Sequence, residues 1–97
     1  MQSSLPQPTQ AESRRIGLIK REIGCIACRL DGINCVQADA HHILDGGRRM
    51  GHEFTIPVCR FHHEHINSKS FEMRYGTELS LLETTNELLV RYAEMVG

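Results

Sequence analysis

Two ligand-type pairs, Cys25-Ile-Ala-Cys28 and Cys59-Arg-Phe-His62, constrain this chain more than any other feature. Two intervening residues let one backbone loop aim both side chains at a single ion, and two such pairs complete a tetrahedron. A closed, thiolate-rich set suits Zn2+ as a structural metal and adds folding free energy. The chain has only 97 residues, and so modest a core often depends on a metal or disulfide staple. Buried apolar cysteines are the plain alternative for Cys25 and Cys28, and a redox pair is another. A redox pair expects a thioredoxin-like strand and helix, which the flanking sequence does not supply. Cys35 reads as a buried thiol, with replacement of His62 as the fourth ligand left open.

All six histidines fall between His41 and His65. With His62 assigned to zinc, His41, His42, His52, His63 and His65 remain beside the Cys59 pair. His41 and His42 are adjacent on an expected strand, where neighbouring side chains point to opposite sides. One metal ligand and one general base is the natural division. A hydrolytic metal site needs few protein ligands and open positions for water and phosphate. A neutral histidine beside it can take the proton of the attacking water. A second structural zinc, or histidines acting as surface hydrogen-bonding groups, are the alternatives.

The rest of the chain reads as one domain. Residues 1–10 carry two prolines and mostly polar side chains, which reads as a flexible tail. The single domain is expected over 11–97. Ile16, Ile19 and Ile23 lie at helical spacing, and Gly24 should stop that helix. Residues 37–44 read as a first strand, 45–49 as a mobile glycine-rich loop, and Thr55–Val58 as a second strand. A short helix should follow from Arg60, another turn or two over 68–75 closed by Gly76, and a final helix capped by Thr77. Leu81, Leu82, Leu88, Leu89, Tyr92 and Val96 share one side of it. Phe71 and Tyr75 read as core. The class is therefore α+β, with helices flanking a small strand–strand–helix unit.

Charge is unevenly spread although the formal net charge is −1. Residues 14–49 hold seven basic side chains against four acidic, net +3, and residues 78–97 are net −3. No apolar run approaches a membrane span, and no basic start precedes one. A membrane partner is not expected, and a reducing compartment makes disulfides unexpected.

The order Cys25-x-x-Cys28, Ala40-His41-His42-Ile43, Thr55-Ile56-Pro57-Val58-Cys59-x-x-His62-His63 resembles the HNH endonuclease superfamily. Gly46-Gly47-Arg48-Arg49, Gly51-His52, Phe71-x-x-x-Tyr75-Gly76 and Leu81-Leu82 bring it closest to the phage recombination-enhancement, RecA-dependent nuclease family. The resemblance implies a ββα-metal hairpin around one divalent ion, Mg2+ or Mn2+ with Zn2+ as an alternative. It implies His41, His63 and His65 as ligands of that ion and His42 as the base. The central asparagine of the HNH motif is absent. Phe54 stands about there, and His52 is the nearest polar side chain to orient the base or to touch phosphate. The implied partners are DNA and a RecA-type recombinase filament, in the cytoplasm, or the host cytoplasm if the chain is phage-encoded.

Arg48 and Arg49 flank the proposed site in a short loop, and two guanidinium groups there can hold backbone phosphates. Arg14 and Arg15, with Lys20 and Arg21, extend that track or are solvated surface charges. The reading is a metal-dependent DNA endonuclease, and its rival is a zinc-stabilised DNA- or recombinase-binding module without catalytic activity.

Overall fold

The first helix, α1 (Gln10–Leu18), starts where Thr9 closes a capping box. The Thr9 hydroxyl accepts from the Glu12 N–H, and the Glu12 carboxylate accepts from the Thr9 N–H. The computed structural model describes residues 6–96. Of the tail expected over 1–10, residues 1–5 lie outside the described residues, while Thr9 and Gln10 already cap and open the helix. Helix α1 continues into one π-helical turn (Ile19–Ile23), in which Ile19 and Ile23 are buried.

Gly24 stops the helix as its position anticipates, at φ 74°. The reason is a close approach as well as a backbone angle. A Cβ at residue 24 would lie 2.3 Å from the Cys35 carbonyl oxygen. That carbonyl is held there because the Cys25 N–H donates to it at 2.9 Å. The chain then turns directly into α2 (Ile26–Leu30), with Cys25 as its N-cap.

Strands β1 (Asp39–His42) and β4 (Thr55–Val58) pair antiparallel, with His41 opposite Ile56 and His42 opposite Thr55. The segment expected to be a mobile loop forms a strand pair instead. Strands β2 (Leu44–Asp45) and β3 (Arg48–Arg49) pair in a tight hairpin around Gly46 and Gly47. Both glycines have positive φ, 62° and 83°, the backbone that a two-residue turn needs to match strand twist. Glycine here supplies a turn geometry, not mobility. Pro57 is tolerated because the sheet has only two strands, so each is an edge.

Helix α3 (Arg60–His65) follows β4 directly and completes strand–strand–helix order. Helix α4 (Lys69–Tyr75) is capped by the Ser68 hydroxyl and ends at Gly76. Helix α5 (Glu78–Val96) begins where Thr77 accepts from the Ser80 N–H. Ile26, Ile43, Ile56, Val58, Phe71, Leu81 and Leu82 form the core between the sheet, α2, α4 and α5. Val96, placed with the apolar side of α5 by spacing, is 65% exposed, because that end of the helix runs past the core. No helix among the described residues is long and apolar enough to cross a membrane.

Two stability outcomes follow from these contacts. Gly24→Ala should lower unfolding free energy by about 3 kcal/mol or more in chemical denaturation, because backbone must move. Thr85 is buried with an unpartnered hydroxyl. Thr85→Val should raise stability by about 1 kcal/mol in the same assay, by removing an unsatisfied polar group.

Candidate functional site

The two ligand pairs converge. Cys25, Cys28, Cys59 and His62 place their ligand atoms within 4.8 Å of one another. The His62 Nδ1 lies 3.4, 3.6 and 3.3 Å from the Sγ atoms of Cys25, Cys28 and Cys59, and the Cys28 and Cys59 sulfurs are 3.9 Å apart. A tetrahedral zinc with bonds of about 2.0–2.3 Å requires ligand separations of roughly 3.5–3.8 Å. The residues therefore fit a closed Cys3His centre and could hold a metal ion. Cys35 lies outside the set, and its thiol donates instead to the Gln37 carbonyl.

The surroundings disfavour charge at two of the three sulfurs and favour it at the third. Burial pushes the Cys25 thiol above its ordinary range, although N–H groups of the loop point at it. Burial, with the neighbouring cysteines, pushes Cys28 up further. Cys59 is also raised by burial, but backbone N–H groups of His62 and Phe61 and the two neighbouring thiols outweigh that and bring it below its usual value. A divalent ion would offset the cost of three negative sulfurs set close together, two of them buried, and binding it must release protons.

A second layer orients His62. Its Nε2 lies 3.1 Å from the Tyr75 hydroxyl, which donates to the Asp31 carboxylate at 2.6 Å. Arg74 donates to the other Asp31 oxygen at 3.0 Å. Tyr75 and Arg74 hold Asp31 below the usual carboxylate range. With Nδ1 aimed at the sulfurs, Nε2–H is the donor and Tyr75 accepts it, so the tautomer a metal needs is fixed. Tyr75 was legible in sequence only as core; its hydroxyl role carries no local signal.

A separate histidine group lies along β1 and its neighbours. The rings of His41 and His63 meet edge to face at 5.1 Å between centroids. His41 Nε2 is 2.5 Å from the Glu78 carboxylate in the first turn of α5, and His63 Nδ1 is 3.5 Å from that of Asp39. His42 points the other way across the strand. Its Nε2 lies 3.2 Å from Nδ1 of His52, and His52 Nε2 donates to the Pro6 carbonyl at 2.8 Å. Burial draws the His42 imidazole below its ordinary pKa, and the charges of Arg49, His52 and His41 add to this. At neutral pH it is thus the free base.

The structure does not bring His65 into this group. Its Nδ1 bonds to the Phe61 carbonyl at 2.7 Å and its ring lies against Phe61, 4.6 Å away. Residues two apart on a helix face away from each other, so His63 and His65 cannot turn to one point. Asp39 was overlooked, although its spacing from His41 on one strand puts both on the same face. Glu78 had no such signal.

The basic residues divide. Arg48 and Arg49 are exposed on the hairpin, and Arg14 is exposed on α1. Arg15 is half-buried and committed to protein: it donates to Thr55 Oγ1 at 3.2 Å, the Thr55 carbonyl at 2.7 Å and Asn86 Oδ1 at 2.7 Å. Lys20, Arg21 and Arg60 line a cleft of about 620 Å3 that also reaches Asp39. Arg60 and Asp39 continue into a smaller hollow of about 320 Å3 beside His63.

A strand–strand–helix unit beside a Cys3His cluster able to hold a metal ion is the arrangement the sequence led one to expect. The sequence model of the recombination enhancement, RecA-dependent nuclease family matches residues 8–69. The chain belongs to that family. The matched segment contains the Cys3His cluster and all six histidines, while Tyr75 and Glu78 lie beyond it.

Removal of metal by a strong chelator should unfold the chain, read by loss of the far-ultraviolet helical signal, and Zn2+ should restore it with proton release measurable by calorimetry in buffers of differing ionisation enthalpy. Tyr75→Phe should weaken metal binding by about 10–100-fold in chelator competition without altering the metal-bound fold.

Proposed function

We propose that the chain is an HNH-type, ββα-metal endonuclease that hydrolyses DNA phosphodiester bonds, working in recombination with a RecA-type recombinase filament. The observation that carries this reading is how the three imidazoles are held. His41, His63 and His42 each have one ring nitrogen tied to a protein partner, Glu78, Asp39 and His52 respectively. Each keeps its other nitrogen for chemistry. A carboxylate behind each of two adjacent histidines is the usual outer layer of a histidine metal site.

In this reading His41 and His63 hold a divalent ion, Mg2+ or Mn2+ with Zn2+ as an alternative, and Asp39 and Glu78 orient them. The bound ion would supply charge to the phosphate and the leaving oxygen and keep open positions for water. His65 takes no part as a ligand. His42, uncharged at neutral pH, accepts a proton from water. One water O–H bond breaks, the oxygen bonds to phosphorus, and the P–O bond to the leaving oxygen breaks. The leaving oxygen keeps that electron pair and takes a proton from solvent. Arg48 and Arg49, and the cleft lined by Lys20, Arg21 and Arg60, hold the backbone phosphates on either side, and Arg14 extends them. Arg15 contributes by holding β4 rather than by touching phosphate. Binding of this kind should weaken steeply with salt.

The test is nicking of supercoiled and displaced-strand DNA with Mg2+ or Mn2+, with and without a recombinase filament. His42→Ala should lower cleavage by about 100-fold or more while zinc content, thermal stability and DNA affinity stay as in the parent. A parent protein that binds DNA but nicks none under any of these conditions would establish the non-catalytic binding module instead.

A further inference from the structure

The segment ahead of α1 reaches His52, the partner of the proposed base. Pro6 offers a carbonyl oxygen, which can only accept a hydrogen bond. Its partner 2.8 Å away, His52 Nε2, must therefore carry the hydrogen. In a neutral imidazole the other nitrogen is then a bare acceptor. His52 Nδ1 faces His42 Nε2 at 3.2 Å, so with His52 neutral the hydrogen between the two rings belongs to His42. That leaves His42 Nδ1 as the nitrogen with the free lone pair. One backbone carbonyl dictates the tautomer of two histidines in series.

Resting on the nuclease reading above, we infer that the Pro6 carbonyl and His52 are positioning groups of the active site. They select Nδ1 of His42 as the atom that takes the proton from water. No proton passes along the chain of rings. When His42 accepts the water proton it becomes a donor at both nitrogens, and the lone pair of His52 still receives one of them.

The relay is anchored at both ends by α1. At the near end, Thr9 closes the capping box three residues after Pro6, and prolines at 6 and 8 limit the freedom of the short span between. At the far end, the Thr55 hydroxyl donates to the His52 carbonyl at 3.0 Å and is itself held by Arg15. A helix that looks like a flanking element thus sets both the donor and the acceptor of the His52–Pro6 bond. The segment expected to be a flexible tail is, at Pro6, a strap that holds the partner of the base.

The experiment compares the full chain with a form beginning at Pro8, which keeps the Thr9 cap, and with His52→Leu and His52→Gln. Histidine ring 15N spectra report the tautomers directly, with no DNA and no catalytic metal present. The full chain should show both His42 and His52 as Nε2–H. In the shortened chain and in His52→Leu, His42 should become a mixture of tautomers, and cleavage should fall about 10–100-fold with little change in DNA affinity. His52→Gln, which can accept from His42 and donate to Pro6, should recover much of the rate. Thermal unfolding and zinc content confirm that each form is folded. The inference is overturned if the shortened chain keeps the Nε2–H tautomers, or if it loses them and cleaves at the parental rate. The two proposals fail separately: a His42→Ala form that still cleaves removes the nuclease mechanism, whereas the ring spectra judge the strap by themselves.

Discussion

The convergence of three sulfurs and one imidazole fixes where α3 starts, and through α3 where the histidine group can form. Cys59 is the last residue before that helix and His62 lies within its first turn. With His62 drawn inward to Cys25 and Cys28, the next residue is rotated by about 100° around the helix. That rotation delivers His63 to β1, where it meets His41. The cluster thus sets the position of the histidine group from a distance. The same constraint explains why His65 is spent on Phe61: the rotation that suits His63 carries His65 away.

A second frame, built from hydrogen bonds, supports the opposite face of the hairpin. Arg15 reaches from α1 to Thr55 on β4 and to Asn86 on α5, joining three elements through one guanidinium. Burial pulls the Arg15 pKa below its ordinary value, with Glu53 acting against the shift. The group remains a cation, and its three bonds meet the cost of partial burial. A small domain with a thin core gains rigidity where its strand needs it most, beside His42 and His52.

What could be seen in the sequence was what is decided locally. Ligand spacing in the two pairs, the glycine stops at 24 and 76, the Thr77 cap and the isoleucine rhythm of the first helix depend on a few neighbouring residues. The structure reproduces each of them. The hairpin at 44–49 was missed because Gly46-Gly47 was read as freedom when it answers a strict turn geometry. Arg15 was misplaced because a charged helix residue is usually solvated, and its acceptors lie 40 and 71 positions away. The partners of His41, His52 and His62 come from Glu78, Pro6 and Tyr75, which only the tertiary fold brings near.

The pairing of Tyr75 with His62 and of Glu78 with His41 has a consequence for substitution. Both outer partners stand past residue 69, where the match to the family ends. Each outer group is therefore set by the helix that packs behind the matched segment, α4 for Tyr75 and α5 for Glu78. Replacement at 75 then calls for a compensating change at 31, and replacement at 78 for another acceptor reaching the same nitrogen. At both places the fold has to keep a bonded couple, not a solitary side chain.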